Sequence, residues 1–592
     1  MLVGPVFTRE IATTPRSLRL YLSRAGYVAA LFGLVFTAWL ILFGSQQSSG
    51  LAELARFGSD VFTIIAPLQL AMAVAFSALL TAAAVAQEKD RRTLDLLLMT
   101  NLTNSELVLG KLLASMLGVL VMVVAAIPLL MLIPLLGGVS YAQVVRVVGV
   151  TITAAAVSGS LGSTIALWRE RTFQSLAMTA LMLVLWLLAG EAIAAGVWGD
   201  AWLGISAGHW AAALSPLQAI RAAIRPLDPV DFPAIWFARP AYLFMAVAGG
   251  LALLLNFWAI ARVRVWNPTQ AVTERSQPGE ISDLADATQA ALVAPHSSRQ
   301  VWDNPILWRE ICTWAYGKKI IAVRAAYLVI FAICAAALFS QLSESDTAVT
   351  RYGSLVSDVA KPIIPLMVLG LVLVNALAVT SLTNERDLRA LDLLLVTDLS
   401  PKEIIFGKLG GIFYNSKEII LLPIALCVVL WFTGRMTTEN LVFLVLAALV
   451  MNAFVAMLGV HVGMSYADSR TAVGVSLSTV LFLLLGIAVC MRMMLAFQSS
   501  FDYQLQSFAA FMLGGAAGLF FALGRRNPSK AIQVASLLTP FATFYVITSF
   551  LGGGFGAAFL VAVATYGFAT AAMLVPAVAE FDVATGRTTQ QS

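Results

Sequence analysis

The sequence predicts an all-α integral membrane protein: a polytopic helical bundle of two six-span-like halves, with an extra apolar insertion in the second. Three observations predict it. The 592 residues are 60% hydrophobic and only 12% charged, with a mean hydropathy of +0.87, whereas a soluble domain carries about 25% charged residues. Apolar runs repeatedly reach the roughly 20 residues that a helix needs to cross a bilayer. One polar segment occurs twice without a gap, EKDRRTLDLLLMTNLTNSELVLGK from Glu88 to Lys111 and ERDLRALDLLLVTDLSPKEIIFGK from Glu385 to Lys408.

In the first half, spans are expected near 26–44, 62–86, 111–136, 144–167, 174–197 and 241–261. The first run lacks a cleavage site and reads as an uncleaved span. Arg16, Arg19 and Arg24 precede it, Arg169 and Arg171 follow the fourth span, and Arg262 and Arg264 follow the sixth. These cations fall on one side with the 88–111 segment, and the positive-inside rule assigns that side to the cytoplasm. The net charge of +5 therefore reads as membrane orientation. It does not indicate a nucleic-acid partner, which would need a basic surface with aromatics or a recognition helix.

Residues 265–300, with Glu274, Pro278, Glu280, Asp283, Asp286 and Pro295, read as a polar cytoplasmic linker. It separates a first half, 1–264, from a second, 301–592. The chain then starts again, since NPILWREI at 304–311 echoes GPVFTREI at 4–11, with Arg309–Glu310 matching Arg9–Glu10. Arg470 is paired with Arg171, and Thr539–Pro540 with Ser215–Pro216. Landmarks in the same order argue for duplication. Spans are expected near 322–341, 361–383, 415–433, 441–464 and 471–491, with further runs at 504–523, 531–551 and 555–578. The total is twelve to fourteen.

Each copy of the polar segment opens on charges and continues with leucines at helical spacing. Leu94, Leu97 and Leu98 share a face with Asp95 on another, and Leu391, Leu394 and Leu395 repeat this around Asp392. A second helix is expected after Thr103–Asn104 and Ser400–Pro401, with Glu106 or Glu403 in its first turn. Gly110–Lys111 and Gly407–Lys408 are expected to form a tight turn with a cation at the membrane boundary.

These segments resemble the region between the second and third spans of ABC-2 type permeases, the membrane subunits of many ABC exporters. The resemblance rests on Glu88, Thr93, Leu94, Leu97, Thr100, Ser105, Glu106, Gly110 and Lys111 in the first copy. In the second it rests on Glu385, Ala390, Leu391, Leu394, Thr397, Ser400, Pro401, Glu403, Gly407 and Lys408, with Ala390 in place of the usual Thr. The Arg-Glu pairs resemble the family's N-terminal interfacial helix. The resemblance implies a permease whose segment docks on a cytosolic P-loop ABC ATPase, here two copies for two halves fused in one chain. ATP and Mg would be used by that partner, with membrane lipids as the surrounding medium and a bacterial cytoplasmic (inner) membrane as the location. Glu88, Arg91, Arg92, Glu106, Glu385, Arg386, Arg389 and Glu403 are then candidates for ion pairs with the ATPase, and the leucine faces for the docking energy.

The chain itself has no GxxxxGK[ST] phosphate loop, and its three histidines, His209, His296 and His461, lie far apart. No cofactor and no catalytic or metal-binding residue is expected in it. Cys312, Cys334, Cys427 and Cys490 lack zinc-ligand spacing. Glu191 is the clearest charge within an apolar run, with Gln69 and Asn375 as further polar candidates for helix contacts or a substrate path. Such a sparse polar lining favours an amphiphilic or lipid-linked substrate over a small ion. Two alternatives remain open, a secondary transporter and a membrane scaffold that works with an ATPase without transport.

Overall fold

The computed structural model describes residues 7–8, 12, 18–43, 50–197, 199, 201–202, 205–225, 239–267, 302–312, 320–344, 360–388, 390–497, 504–524, 529–579 and 581. In the first half, α1 is Leu18–Phe43, α2 Leu51–Asp90, α3 Thr93–Leu98, α4 Asn104–Leu136, α5 Tyr141–Trp168 and α6 Thr172–Ala194. A two-residue ribbon, Ala201–Trp202 with Ile205–Ser206, precedes the short helices α7 (Ala207–Leu214) and α8 (Pro216–Ile224), and α9 (Pro240–Trp266) closes the half. The second half comprises α10 (Pro305–Cys312), α11 (Ile320–Glu344), α12 (Ile363–Asp387), α13 (Ala390–Leu395), α14 (Pro401–Phe432), α15 (Thr438–Ser465) and α16 (Ser469–Phe497). It ends with α17 (Gln504–Leu519), which runs into a π turn at Phe520–Gly524, then α18 (Lys530–Leu551) and α19 (Phe555–Ala579).

Among the described residues, 14 helices are long and apolar enough to cross a membrane, six in the first half and eight in the second. The protein is a polytopic, all-α, multi-pass membrane protein. At a rise of 1.5 Å per residue, the 40 residues of α2 span about 60 Å, roughly twice a hydrocarbon core. Its end, with Glu88, therefore projects well past the apolar layer. Local signals fix the helix starts. Thr103 with Glu106, Ser140 with Gln143 and Ser400 with Glu403 form complete capping boxes for α4, α5 and α14, each satisfying otherwise orphaned backbone donors.

Three contacts of the first half recur in the second with partners 297 positions apart. Lys89 Nζ donates to the carbonyls of Leu167 and Arg169, both at 2.7 Å, capping the C-terminus of α5. Arg386 does the same for α15, donating to Tyr466 at 2.5 Å and Gly463 at 2.9 Å. A cation there satisfies the last carbonyls and complements the helix dipole. Asp90 accepts from the Thr172 hydroxyl at 2.5 Å, and Asp387 from that of Ser469 at 2.9 Å. A Cβ on Gly162 would lie 2.3 Å from the Ala78 carbonyl oxygen, and one on Gly459 would lie 2.9 Å from that of Asn375. At both places only glycine lets the second and fourth spans approach so closely.

The halves pack α6 against α11 and α12, α2 against α16, and α1 against α17. One buried cluster runs through both, from Leu79 and Phe173 to Leu373 and Val460.

Three expectations are corrected. Gly110–Lys111 and Gly407–Lys408 form no turn, because both lie inside continuous helices, α4 and α14. Thr539–Pro540 is not the counterpart of Ser215–Pro216. Ser215–Pro216 begins the nine-residue α8, whereas Thr539–Pro540 sits inside the 22-residue α18. The extra length of the second half is thus two full helices, α17 and α18, where the first half has the short pair α7–α8. Finally, Arg171, the N-cap of α6, is matched in space by Asp468 rather than Arg470, since Asp468 accepts the Thr471 amide at the start of α16. The linker at 268–300 and the repeated N-terminal motif, apart from Phe7 and Thr8, lie outside the described residues.

Candidate coupling site

Two matching platforms lie where the second span of each half hands over to the third. In the first, α2 ends at Asp90, and Arg92 takes a left-handed conformation with φ 56°, the only positive φ at a non-glycine residue among those described. That reversal sets the six-residue α3 across the bundle. Leu94 and Leu98 are turned inward and buried, with Leu97 partly buried against the same core. Leu96 and Met99 face outward, 65% and 58% exposed. The last span holds this turn from beneath. Arg264 Nε donates to Asn104 Oδ1 at 2.7 Å and its guanidinium reaches the Leu102 carbonyl, while Asn104 donates to the Ile260 carbonyl.

The second platform repeats the arrangement. Leu391 and Leu394 of α13 are buried and Leu395 is partly so, while Leu393 and Val396 stand 75% and 85% exposed. Beneath it lies a dense ionic knot. Lys408 Nζ is 2.6 Å from Glu310 Oε1 and 2.6 Å from Glu385 Oε1, and it donates to the Ser381 carbonyl. Arg309 pairs with Glu385 and, at 3.5 Å, with Glu310. The knot ties α10 to the end of α12 and the start of α14. Glycines make that possible. Cβ atoms on Gly407 and Gly411 would lie 2.8 Å from Ile306 Cβ and 2.5 Å from Glu310 Cβ, so α10 rests directly on the α14 backbone. In the first platform Lys111 pairs with Glu88.

The two platforms are also joined. Arg91 Nε lies 3.2 Å from Asp387 Oδ1, and its Nη2 lies 3.2 Å from Asp468 Oδ1, bridging the halves. Burial tends to raise the Asp468 carboxyl, but the hydrogen bonds from Thr471 and the Arg91 guanidinium outweigh it and hold the group below the usual carboxylate range.

The sequence-predicted residues therefore divide. Glu88, Arg91, Lys111, Glu385, Arg386 and Lys408 are engaged within the chain as internal ion pairs or helix caps. Glu106 and Glu403 close capping boxes, and Gly110 and Gly407 are buried within helices. Arg92 is exposed and Arg389 lies outside the described residues. Leu94, Leu97, Leu98, Leu391, Leu394 and Leu395 face the core of the bundle. Leu97 and Leu395 are only partly buried there, and the outward apolar residues are Leu96, Met99, Leu393 and Val396. Sequence reasoning missed them because Leu96–Leu97–Leu98 is apolar all round a single short helix, where periodicity assigns no face. It also missed Asp468, Asn104 and the extent of the Glu310 knot, which only tertiary contact assembles.

Elsewhere, Glu191 accepts from Gln218 at 3.1 Å and pairs with Arg221 at 3.2 Å, fastening α8 to α6. Asn375 donates to the Val455 carbonyl and accepts from the Ser476 hydroxyl, a three-helix junction. His461 is hydrogen-bonded to the Leu523 backbone. Gln69 makes no such contact.

Residues 11–268 match the family model described as ABC-2 family transporter protein. Over these residues the first half is similar to that family. No curated protein and no solved structure matches the chain.

Proposed function

We propose that the chain is the permease of an ATP-driven exporter, with 1–264 and 301–592 as duplicated permease halves joined by the 265–300 linker. Each platform docks one cytosolic P-loop ATPase, two in all, which bind ATP and Mg and power export across a bacterial inner membrane. The observation that carries this reading is the exposed apolar pair at the same place on each platform, Leu96 with Met99 and Leu393 with Val396. Each pair sits on or at the end of a short helix set between two spans. Exposed apolar side chains at the water side of a membrane protein mark a contact surface, and a few such anchors supply most of an interface's energy. The internal ion pairs beneath would then transmit movement of α3 and α13 into the spans.

Pull-down from native membranes tests the reading. Leu96→Asp combined with Leu393→Asp should abolish co-purification of a nucleotide-binding ATPase at unchanged protein level, because neither residue is part of the core. If wild type brings down no ATPase, or the double variant retains it fully, the docking role is wrong. Flux of cargo into inverted vesicles, dependent on ATP, separates export from a scaffold without transport.

A further inference from the structure

A cleft of about 420 Å³ opens between α1, α2 and α4 of the first half and α16 and α17 of the second. Its walls are apolar, among them Leu31, Leu68, Phe76, Met122 and Phe482, and none of its lining residues is charged. Gln69 lies on this wall, 1% exposed, and neither its amide nitrogen nor its amide oxygen has a hydrogen-bond partner among the described residues. A buried amide without a partner is costly, and a water would need two to four polar partners to settle beside it. Such a group is retained at a cost unless something else satisfies it.

The other half shows that the fold does not require the cleft. At the positions 297 residues on, Gln69 is replaced by Leu366, Ser115 by Ile412 and Met122 by Ile419. Leu366 and Ile412 are fully buried, and the Tyr327 hydroxyl reaches across to the Ile419 carbonyl at 3.0 Å, filling the space. At these positions the second half is packed, where the first half lines an open cleft with a polar handle. The volume falls within the range of small-molecule sites, which are apolar with a few placed polar groups.

We propose that this cleft binds one amphiphilic molecule per chain, its apolar body among the leucine, methionine and phenylalanine side chains and a neutral amide, ester or hydroxyl group on Gln69. A charged headgroup is disfavoured, since no counter-charge lines the site. As a cargo site the inference rests on the export reading; as a binding site it rests on the cleft alone.

Photolabelling of the purified full-length chain tests it, with three diazirine probes: an N-acyl ethanolamide, an alkane and a phosphatidylcholine. The ethanolamide should label α2 and α4 peptides and be displaced by its unlabelled parent. Gly118→Leu should cut that labelling about fivefold or more, because a Cβ there meets nothing within 4 Å and the side chain projects into open space. Gln69→Leu, which copies the residue at 366, should weaken ethanolamide labelling about fivefold and leave alkane labelling unchanged. Labelling indifferent to Gly118→Leu would overturn the proposal. So would phosphatidylcholine labelling the same peptides as strongly and without sensitivity to Gln69→Leu, which would make the cleft an ordinary lipid seat. If ATPase capture fails while the labelling pattern holds, the site stands and only the export reading falls.

Discussion

Replacing Lys408 by Met removes the centre of the ionic knot beneath the second platform. The Lys408 side chain is 2% exposed, as is that of Glu310, and the Glu385 side chain is 14% exposed. Breaking a buried ion pair from one side costs about 3–5 kcal/mol, because the remaining charge keeps its desolvation penalty without its partner. Arg309, 36% exposed, stays beside both carboxylates and offsets part of the loss, which places the cost near the lower end, about 3 kcal/mol. Lys111→Met is the matched control. Its side chain is 10% exposed and its partner Glu88 is 36% exposed, so water already screens the pair and the cost falls to about 1 kcal/mol. Unfolding free energies of the two purified variants, measured by titrating sodium dodecyl sulfate into mixed micelles, should therefore differ by about 2 kcal/mol. Adding Glu310→Gln to Lys408→Met should recover part of the loss, since a neutral amide needs no counter-ion. Equal costs for the two lysines, or a Lys408→Met cost below about 1 kcal/mol, would show that burial does not govern these pairs and would refute the argument.

The same unfolding assay should separate the inner and outer leucines of the first platform: Leu94→Ala costs about 2–5 kcal/mol, whereas Leu96→Ala stays within about 0.5 kcal/mol. Gly459→Ala should cost about 1–3 kcal/mol, since its Cβ would meet Ala378 Cβ at 2.6 Å and Val379 N at 2.8 Å. Gly463→Ala, whose nearest atom would be 3.4 Å away, should cost less. Asp468 gives a pH signature. Its carboxyl is held below the usual range, so its bridge to Arg91 contributes above the unfolded Asp value and is lost as pH falls through the lower folded value. Melting curves of wild type and Asp468→Asn should differ at about pH 7 and about pH 5 and converge only as the pH falls below the lowered folded value.

Much of this was legible in the sequence because membrane helices announce themselves by composition and length. The order of the spans, the doubling of the Glu88–Lys111 segment and the caps at Thr103 and Ser400 all follow from local chemistry that acts within a few residues. What the sequence did not disclose depends on tertiary neighbours. Gly407 next to Lys408 reads as a turn until Ile306 and Glu310 are found packed where a Cβ would stand. The leucines of α3 and α13 read as a docking face because amphipathic logic assumes water on one side and a partner on the other. Here the core of the bundle takes the apolar face, and the remaining leucine of each helix is left outside. Charges misled in the same direction. Arg91 and Glu385 look available for a partner, yet each is engaged within the chain, Arg91 across the halves and Glu385 beneath its own platform.

The contacts that anchor each platform among the described residues bear on how a push on it would travel. The second is fixed from below by Glu310 and Arg309 of α10, so displacement of α13 must move α10, α12 and α14 together. The first is held by Arg264 from the last span of its own half, and by Arg91 reaching to Asp387 and Asp468 of the other. Displacing α3 therefore loads the second half through two carboxylates that flank the α12 and α16 ends. Those same helices matter to the cleft, since α2 and α16 both contribute to its walls. A movement that separates α2 from α16 breaks the Arg91 bridge at one end and opens the cleft further along the same pair of helices. On the proposed export reading, the Arg91–Asp468 contact and the cleft are two readouts of one α2–α16 interface, so a push on α3 would reach both.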